Sequence, residues 1–527
     1  MRKTLTWIDL TSIGVGGIIG AGIYVLTGQA AARYAGPAIS LSFIIAAFSC
    51  LFSALCYSEL SSMIPVSGSA YSFASFTLGQ LVGWMIGWDL IIEYLFGAST
   101  VAVGWSGYFC SLLKDLGMPL PQALSLAPYA RHSNGEGWVA TGGVFNAPAV
   151  AIVGLMTWML YRGVQESAKF NNIVVVVKVL VLVLFLLAGW GYTKPENWSP
   201  FVPPAQGSAY GAWGVLRGSS VVFFSYIGFD AISTASGEAK DPQSAIPVAT
   251  LLSLAICTVL YVLVGFTITG LVHYTELDVP DPIAVAVDAA GAGLMWLRPI
   301  IKIGALLGLT SVIMVLIMGQ ARIFWAMAED GLLPPYFATL HPTHRSPSVT
   351  TVITGVLAAI IAGLLPVDVL GEMVSIGTLA AFAVVCAGVI ALRKSRPDIP
   401  RPFRVPYSPY VPALGVATSL VQIFALPPET WLRLLLWMGI GLVIYHGYSK
   451  AHAKPMEERM KAMFGGEGGS AAAATIVAAL AGGGGPPQLQ APDAGSPAEA
   501  SPEGGSTPLI SASVAVDSGS IGTVQLQ

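Results

Sequence analysis

Apolar positions in this chain come in long runs almost free of charge, separated by short polar breaks, rather than in the one-sided stripes of soluble helices. Runs of about 20 apolar residues are long enough to cross a bilayer as helices. Segmentation on that basis predicts twelve spans: 8–33, 38–63, 79–113, 147–164, 171–191, 212–236, 248–273, 298–328, 347–366, 369–393, 410–427 and 430–450. The third is long enough to tilt or to project from the bilayer. Two long loops, 114–146 and 274–297, face the side away from the termini, and the second has the pattern for a short surface helix over Asp281–Ala290. From Ala451 the apolar runs cease. A Gly/Ala/Pro/Ser-rich sequence with few aromatics continues to Gln527, a composition that buries too little surface to offset chain entropy, and 451–527 is expected to be disordered.

The first span departs from a plain apolar run. Gly14-Val-Gly-Gly-Ile-Ile-Gly-Ala-Gly-Ile23 holds five glycines in nine positions. Each costs about 1 kcal/mol of helix preference relative to alanine, so together they cost about 4–5 kcal/mol. Non-helical backbone survives at membrane depth only where it lines a protein cavity. The stretch therefore reads either as a helix built to break and bind, or as a close-packing face of small residues. The sixth span repeats the theme: Phe223-Phe-Ser-Tyr-Ile-Gly-Phe-Asp-Ala-Ile-Ser233 sets Ser225, Gly228, Asp230 and Ser233 inside a membrane run. The two segments are five spans apart, so a repeat of five-span units must be inverted, and paired interrupted helices mark a transporter's binding site.

Composition agrees. Hydrophobic residues make up 54% of the 527 and charged residues 10%, and the mean hydropathy is +0.71. A net charge of −3 without a basic block gives no surface for nucleic acid. The five cysteines lie in or beside apolar runs without metal-ligand spacing, the histidines show no metal-like pairing, and no Walker-type phosphate loop is present. Neither a cofactor nor a metal is expected, nor enzymatic chemistry. The first apolar run lacks a cleavage site and reads as a retained span. Placing the termini in the cytoplasm puts sixteen of the 25 Lys and Arg on that side and six opposite, in keeping with the positive-inside rule. Asn197-Trp-Ser199 then faces outward; its closeness to the membrane and to Pro200 makes it a chance match to a glycosylation acceptor.

At a broken helix, one half presents free N–H groups, which suit a carboxylate, and the other presents free C=O groups, which suit an ammonium. Two facing breaks would hold both ends of a zwitterion such as an α-amino acid. The amides of Gly20, Ala21 and Gly22 are expected on the carboxylate, and carbonyls near Ile18 and over Phe224, Ser225 and Ile227 on the amine. Ser225 and Ser233 taken singly read as bonding back to their own helix. Three ionisable residues have two readings each. Lys178 either snorkels to the interface or is a fixed or titratable cation beside the breaks. Glu93 relays a proton or bonds a neighbouring helix. Asp230 latches a gate or caps the lower half-helix.

Gly16-Gly-Ile-Ile-Gly-Ala-Gly-Ile-Tyr24, Tyr57-Ser-Glu-Leu through Pro65-Val-Ser-Gly-Ser-Ala-Tyr71, and Phe223-Phe-Ser-Tyr-Ile-Gly-Phe-Asp230 resemble the amino acid–polyamine–organocation (APC) transporters. Glu238-Ala-Lys-Asp-Pro242, Met327-Ala-Glu-Asp-Gly-Leu-Leu-Pro334 and Arg401-Pro-Phe-Arg-Val-Pro406 place the likeness near the cationic amino acid branch. It covers about residues 5–450. It implies an all-α polytopic membrane protein with a five-plus-five inverted repeat (8–191 and 212–393), spans one and six unwound, and two peripheral helices over 410–450. It also implies alternating-access transport of L-amino acids. By motif, Ile18, Gly20–Gly22, Phe224, Ser225 and Ile227 match substrate contacts, with Asp230 beside them. Lys178 matches a lysine standing where sodium-coupled relatives hold their ion, which implies sodium independence and proton coupling. Twelve spans rather than fourteen resembles bacterial relatives that accept neutral amino acids, and Leu309–Leu316 of span eight, expected to shape the side-chain pocket, contains no acid. Cationic substrates such as arginine and lysine are the expectation and neutral ones the alternative; an amino acid sensor or a channel is the rival from another class. The expected membrane is the plasma membrane, with a vacuolar or other internal one as the alternative.

Overall fold

A computed structural model describes residues 5–455, apart from 65–67, 132–137, 208, 280, 343–345, 398 and 427, together with residue 458. The predicted tail beyond 455 otherwise lies outside the described residues, as does part of the Pro65–Tyr71 motif. Seven helical stretches among the described residues are long and apolar enough to span a bilayer. The first of these, Trp7–Met63, would be about 85 Å long as one helix and turns at Gly36, so it makes two crossings. Four shorter apolar helices, Ala147–Arg162, Ser348–Leu364, Tyr410–Phe424 and Pro428–Ile444, complete twelve. The protein is an all-α polytopic membrane protein.

The boundaries differ from expectation where polar residues continue a helix. Span five is Val164–Trp190 rather than 171–191, separated from span four only by Gly163. Its polar first turns are held by partners: Asn171 donates to the Ser12 carbonyl (3.0 Å) and Asn172 to Asp9 (2.8 Å). Span seven starts at Pro242, because proline at the first turn forfeits only an N–H that had no helical partner. A separate helix, Ser69–Leu78, precedes span three, which widens into a π-helical turn over Ile92–Phe96. The surface helix is Pro282–Ala289. In the 114–146 loop, the chain forms a hairpin of Tyr129–Arg131 with Trp138–Ala140 that the apolar pattern did not suggest. The Asn197 side-chain amide is bonded to the Gly270 carbonyl (2.8 Å).

Spans two and seven pack together, as do three and eight. Span twelve is bonded to span three. Trp84 and Trp88 of span three donate to the Gly441 and Trp437 carbonyls (2.8 and 2.9 Å), and Trp437 donates back to the Trp88 carbonyl (3.1 Å). In hydrocarbon the three indole N–H groups would otherwise stay bare, which ties the last span to span three. On the side where residues 5 and 454 lie, here called the terminal side, Leu5 exchanges backbone bonds with Glu238 and Lys240 (3.0 and 2.9 Å). Two of the family motifs meet there: Glu59 of Tyr57-Ser-Glu-Leu, fully buried, takes a forked contact from Arg393, a longer one from Arg401 (3.4 Å) and the Val405 N–H (2.7 Å).

Candidate functional site

The helix Trp7–Ile18 begins with a reciprocal cap between Thr6 and Asp9 and runs without interruption through Gly14, Gly16 and Gly17. Only at Ile19 does the backbone become extended (ψ 95°), and the second half starts with the Ile23 and Tyr24 N–H groups on the Gly20 carbonyl (both 3.2 Å). The N–H groups of Ala21 and Gly22 thus stand ahead of that half's hydrogen-bond ladder. Three of the five glycines do not break the helix; they allow close approach. A Cβ at Gly14 would lie 2.4 Å from Ser253 Oγ, and one at Gly16 would lie 2.7 Å from Asn171 Oδ1. The packing reading thus accounts for Gly14, Gly16 and Gly17, while Gly20 and Gly22 lie at the break itself.

Span six breaks in a complementary way. Gly211–Val222 tightens into a 3₁₀ turn over Phe223–Tyr226, Ile227 is extended, and Gly228 takes φ +120° before the chain resumes as Ala231–Thr234. A Cβ on Gly228 would sit 2.7 Å from the Gly17 carbonyl carbon, and one on Gly22 would sit 2.3 Å from Ser225 Cβ. The two breaks therefore cross backbone against backbone, with no room for a side chain between them.

The carbonyls released by the first break have donors. Lys178, fully buried, uses all three ammonium protons: on the Gly16 carbonyl (2.8 Å), the Ile19 carbonyl (2.8 Å) and Ser311 Oγ (2.9 Å). With span five beginning at Val164, Lys178 lies about 18 Å from the Trp190 end and about 21 Å from the other, so it is too deep to snorkel. The cation closes the helix C-terminus, where the dipole favours it. Tyr261 of span seven bridges the breaks, its hydroxyl 2.5 Å from the Ile18 carbonyl oxygen and 2.8 Å from that of Ser225. One hydroxyl proton serves one of these carbonyls at a time, so the three oxygens form an electron-rich cluster. Neither the glycine pattern nor the motifs pointed to Tyr261; the only sequence signal was a tyrosine inside an otherwise apolar span.

A small cavity lies between the breaks, lined by Gly17, Ile18, Gly20–Gly22, Phe224 and Ile227, and closed by Gly97, Val101, Val312 and Leu316. Six of the seven expected substrate residues line it. Ser225 does not: its side chain packs on Gly22, and its hydroxyl, contrary to the back-bonding expectation, has no hydrogen-bond partner among the described residues. Ser233 does bond back, to the Asp230 carbonyl (2.5 Å). Val312 and Leu316 fall in the stretch of span eight expected to shape the pocket. Gly97 and Val101 were missed, although they continue at i+4 and i+8 the helix face that starts at Glu93.

The three ionisable residues do not share one place. Lys178 is behind the first break, outside the cavity lining. Asp230 leaves its short helix uncapped; its carboxylate accepts the Gly228 N–H (3.2 Å) and the Tyr94 hydroxyl, which ties the second break to span three. Glu93 is fully buried one turn from Gly97, faces Asp230 and Asp89, and neither of its oxygens has a hydrogen-bond partner among the described residues. Thr378, beside it, gives its proton to the Val374 carbonyl (3.0 Å).

Comparison with known proteins places this geometry. The amino acid permease family profile matches residues 5–444. The methylthioribose transporter of Bacillus subtilis is 44% identical over 453 residues, 86% of this chain and 95% of its own. The branched-chain amino acid permease BcaP of the same organism is 44% identical over 455 residues, 86% and 94%. The vacuolar cationic amino acid transporter 4 of Arabidopsis thaliana is 37% identical over 399 residues, 76% of this chain and 64% of its own. All are named as transporters or permeases, not enzymes. The chain belongs to the amino acid permease family of the APC superfamily.

Proposed function

We propose that the protein carries L-amino acids with neutral, apolar side chains by alternating access, through inverted halves at about 8–191 and 212–393. The observation that carries this reading is the far wall of the cavity: Gly97, Val101, Val312 and Leu316 offer a side chain only apolar contact. A charged side chain buried there would lose its hydration without gaining a partner. The Ala21 and Gly22 amides hold the substrate carboxylate, and the Ile18–Ser225–Tyr261 oxygens take its ammonium. The likeness to BcaP supports the same substrate class, although the methylthioribose transporter is equally similar. A second reading rests on Glu93. Its carboxylate, without a partner among the described residues, lies one turn from Gly97 of the cavity wall, and a long cationic side chain would have to displace that wall to reach it; the cationic transporter relatives support that class.

Lys178, bound where a cation would otherwise serve the same carbonyls, supports sodium-independent transport. Coupling to protons then runs through Lys178 or through Glu93 beside Asp230. The Lys and Arg bias supports cytoplasmic termini. The test is uptake of radiolabelled leucine, alanine, arginine and lysine into sodium-free proteoliposomes, with and without an inward pH gradient. Leucine or alanine uptake stimulated by the gradient is expected. Uptake of arginine and lysine alone would transfer the assignment to the Glu93 reading, and ion flux far above carrier turnover would indicate a channel.

A further inference from the structure

The end of span twelve does not leave the protein freely. After Pro428–Ile444 the chain widens into a π-helical turn, Tyr445–Ser449, and returns onto the loop that follows span eight. Ser449, buried, donates its hydroxyl to the Leu332 carbonyl (2.9 Å), and the Lys454 N–H donates to the Asp330 carbonyl (3.1 Å). Between these residues lies Gly331 at φ +78°, where a Cβ would stand 2.4 Å from the His452 carbonyl oxygen. That glycine is what lets the returning segment lie directly on the loop, which is the centre of Met327-Ala-Glu-Asp-Gly-Leu-Leu-Pro334.

The same loop faces the gate on its other side. Asp330 accepts the Tyr71 hydroxyl from the helix Ser69–Leu78. At the start of that helix, Ser69 Oγ is 3.0 Å from Ser233 Oγ, in the terminal-side half of broken span six. A continuous series of contacts therefore runs from residues 449–454, through 330–332 and Tyr71, to the segment that must move if the cavity is to open on the terminal side.

We propose that residues 445–454 are a latch on the terminal-side gate. The docked segment holds Asp330–Leu332 against Tyr71, restrains the Ser69–Leu78 helix and the 231–234 segment, and slows opening; the latch itself lies wholly within described residues. The inference rests on the alternating-access reading above, without depending on which amino acid is carried.

The test compares full-length parent with S449A/K454P, which removes both donors from the segment. Ala453 already has the extended ψ of 131° that a following proline requires. G331A attacks the same contact from the loop, and K454A, which keeps the backbone N–H, is the control. Two readouts are used: initial uptake of leucine and arginine into proteoliposomes, and hydrogen–deuterium exchange without substrate. Expected in S449A/K454P and G331A is a rise in maximal rate of about three- to tenfold at unchanged KM, the size set by losing one or two neutral hydrogen bonds. Faster exchange over 69–78 and 231–236 should accompany it, with K454A like the parent. Exchange that rises only at 330–332 and 445–454, an unchanged rate in a transporting protein, or acceleration by K454A would overturn the latch. If the parent transports neither amino acid, the transport reading fails, while the exchange pattern still decides the latch.

Discussion

Replacing Lys178 with methionine keeps an unbranched side chain of similar length in the same space and removes three hydrogen bonds at once. The Gly16 carbonyl keeps the Ser311 hydroxyl 3.1 Å away, a proton it shares with the closer Gly308 carbonyl (2.8 Å). Ile19 has no such substitute among its described contacts. A buried carbonyl left bare costs about 1–3 kcal/mol, and losing a cation at a helix C-terminus costs a further ~0.3–2 kcal/mol. The expected destabilisation is thus about 2–4 kcal/mol, concentrated at the first break. Since 1.4 kcal/mol is tenfold in an equilibrium, a site whose binding-competent form loses half of that energy should lose about five- to thirtyfold in apparent affinity. Thermal unfolding in detergent reads the first quantity and substrate-dependent thermal shift the second. Uptake with and without a pH gradient separates a structural cap from a coupling group: a pure cap lowers both equally, whereas a coupling group abolishes only the gradient-driven part. Parent-like unfolding and uptake in K178M would refute the account of Lys178 as the closure of the broken helix.

Other substitutions test the remaining geometry. Gly228→Ala places a Cβ against the Gly17 backbone at φ +120°; strain of about 1–3 kcal/mol plus the overlap should abolish uptake while surface expression persists. Tyr261→Phe removes the bridge between the Ile18 and Ser225 carbonyls and should raise KM about three- to tenfold, as loss of one hydrogen bond predicts, equally for all accepted amino acids. Gly97→Ala, whose Cβ would be 3.3 Å from Leu316, should penalise leucine more than alanine in competition uptake; equal effects on both would remove span three from the side-chain pocket. Glu93→Gln should leave leucine exchange near parental rates while reducing its stimulation by a pH gradient, measured as the ratio of driven uptake to counterflow.

The twelve crossings were legible because crossing a bilayer imposes a length and an apolarity that any window detects. The position of the break was legible for a related reason: glycine is costly in a helix, so five in nine positions demand an account. Which glycine serves which purpose was not legible. Gly14, Gly16 and Gly17 differ from Gly20 and Gly22 only in what lies opposite them, and Ser253, Asn171 and Gly228 are remote in the chain. The same holds for Lys178. Its depth was underestimated because the polar start of span five, Val164–Asn172, looked like loop, and only the Asp9 and Ser12 partners turn it into helix. Tyr261 and Gly97 stayed hidden because a tyrosine or a glycine in an apolar run has many uses, and distance alone tells them apart. The motif pairs fared better as markers than as explanations: that Glu59 and Arg401 meet gives both motifs a physical purpose that neither shows alone.

The tryptophan exchange between spans three and twelve has a consequence for how the protein is made. Trp84 and its acceptor at Gly441 are 357 positions apart in the chain. At ribosomal speeds of about 5–20 residues per second, span three waits roughly 20–70 seconds in the membrane before the groups that satisfy it emerge. During that interval its indole N–H groups face lipid, the insertion machinery or a chaperone. A chain that stops between residues 115 and 428 therefore leaves these indole N–H groups without the acceptors they have in the folded protein.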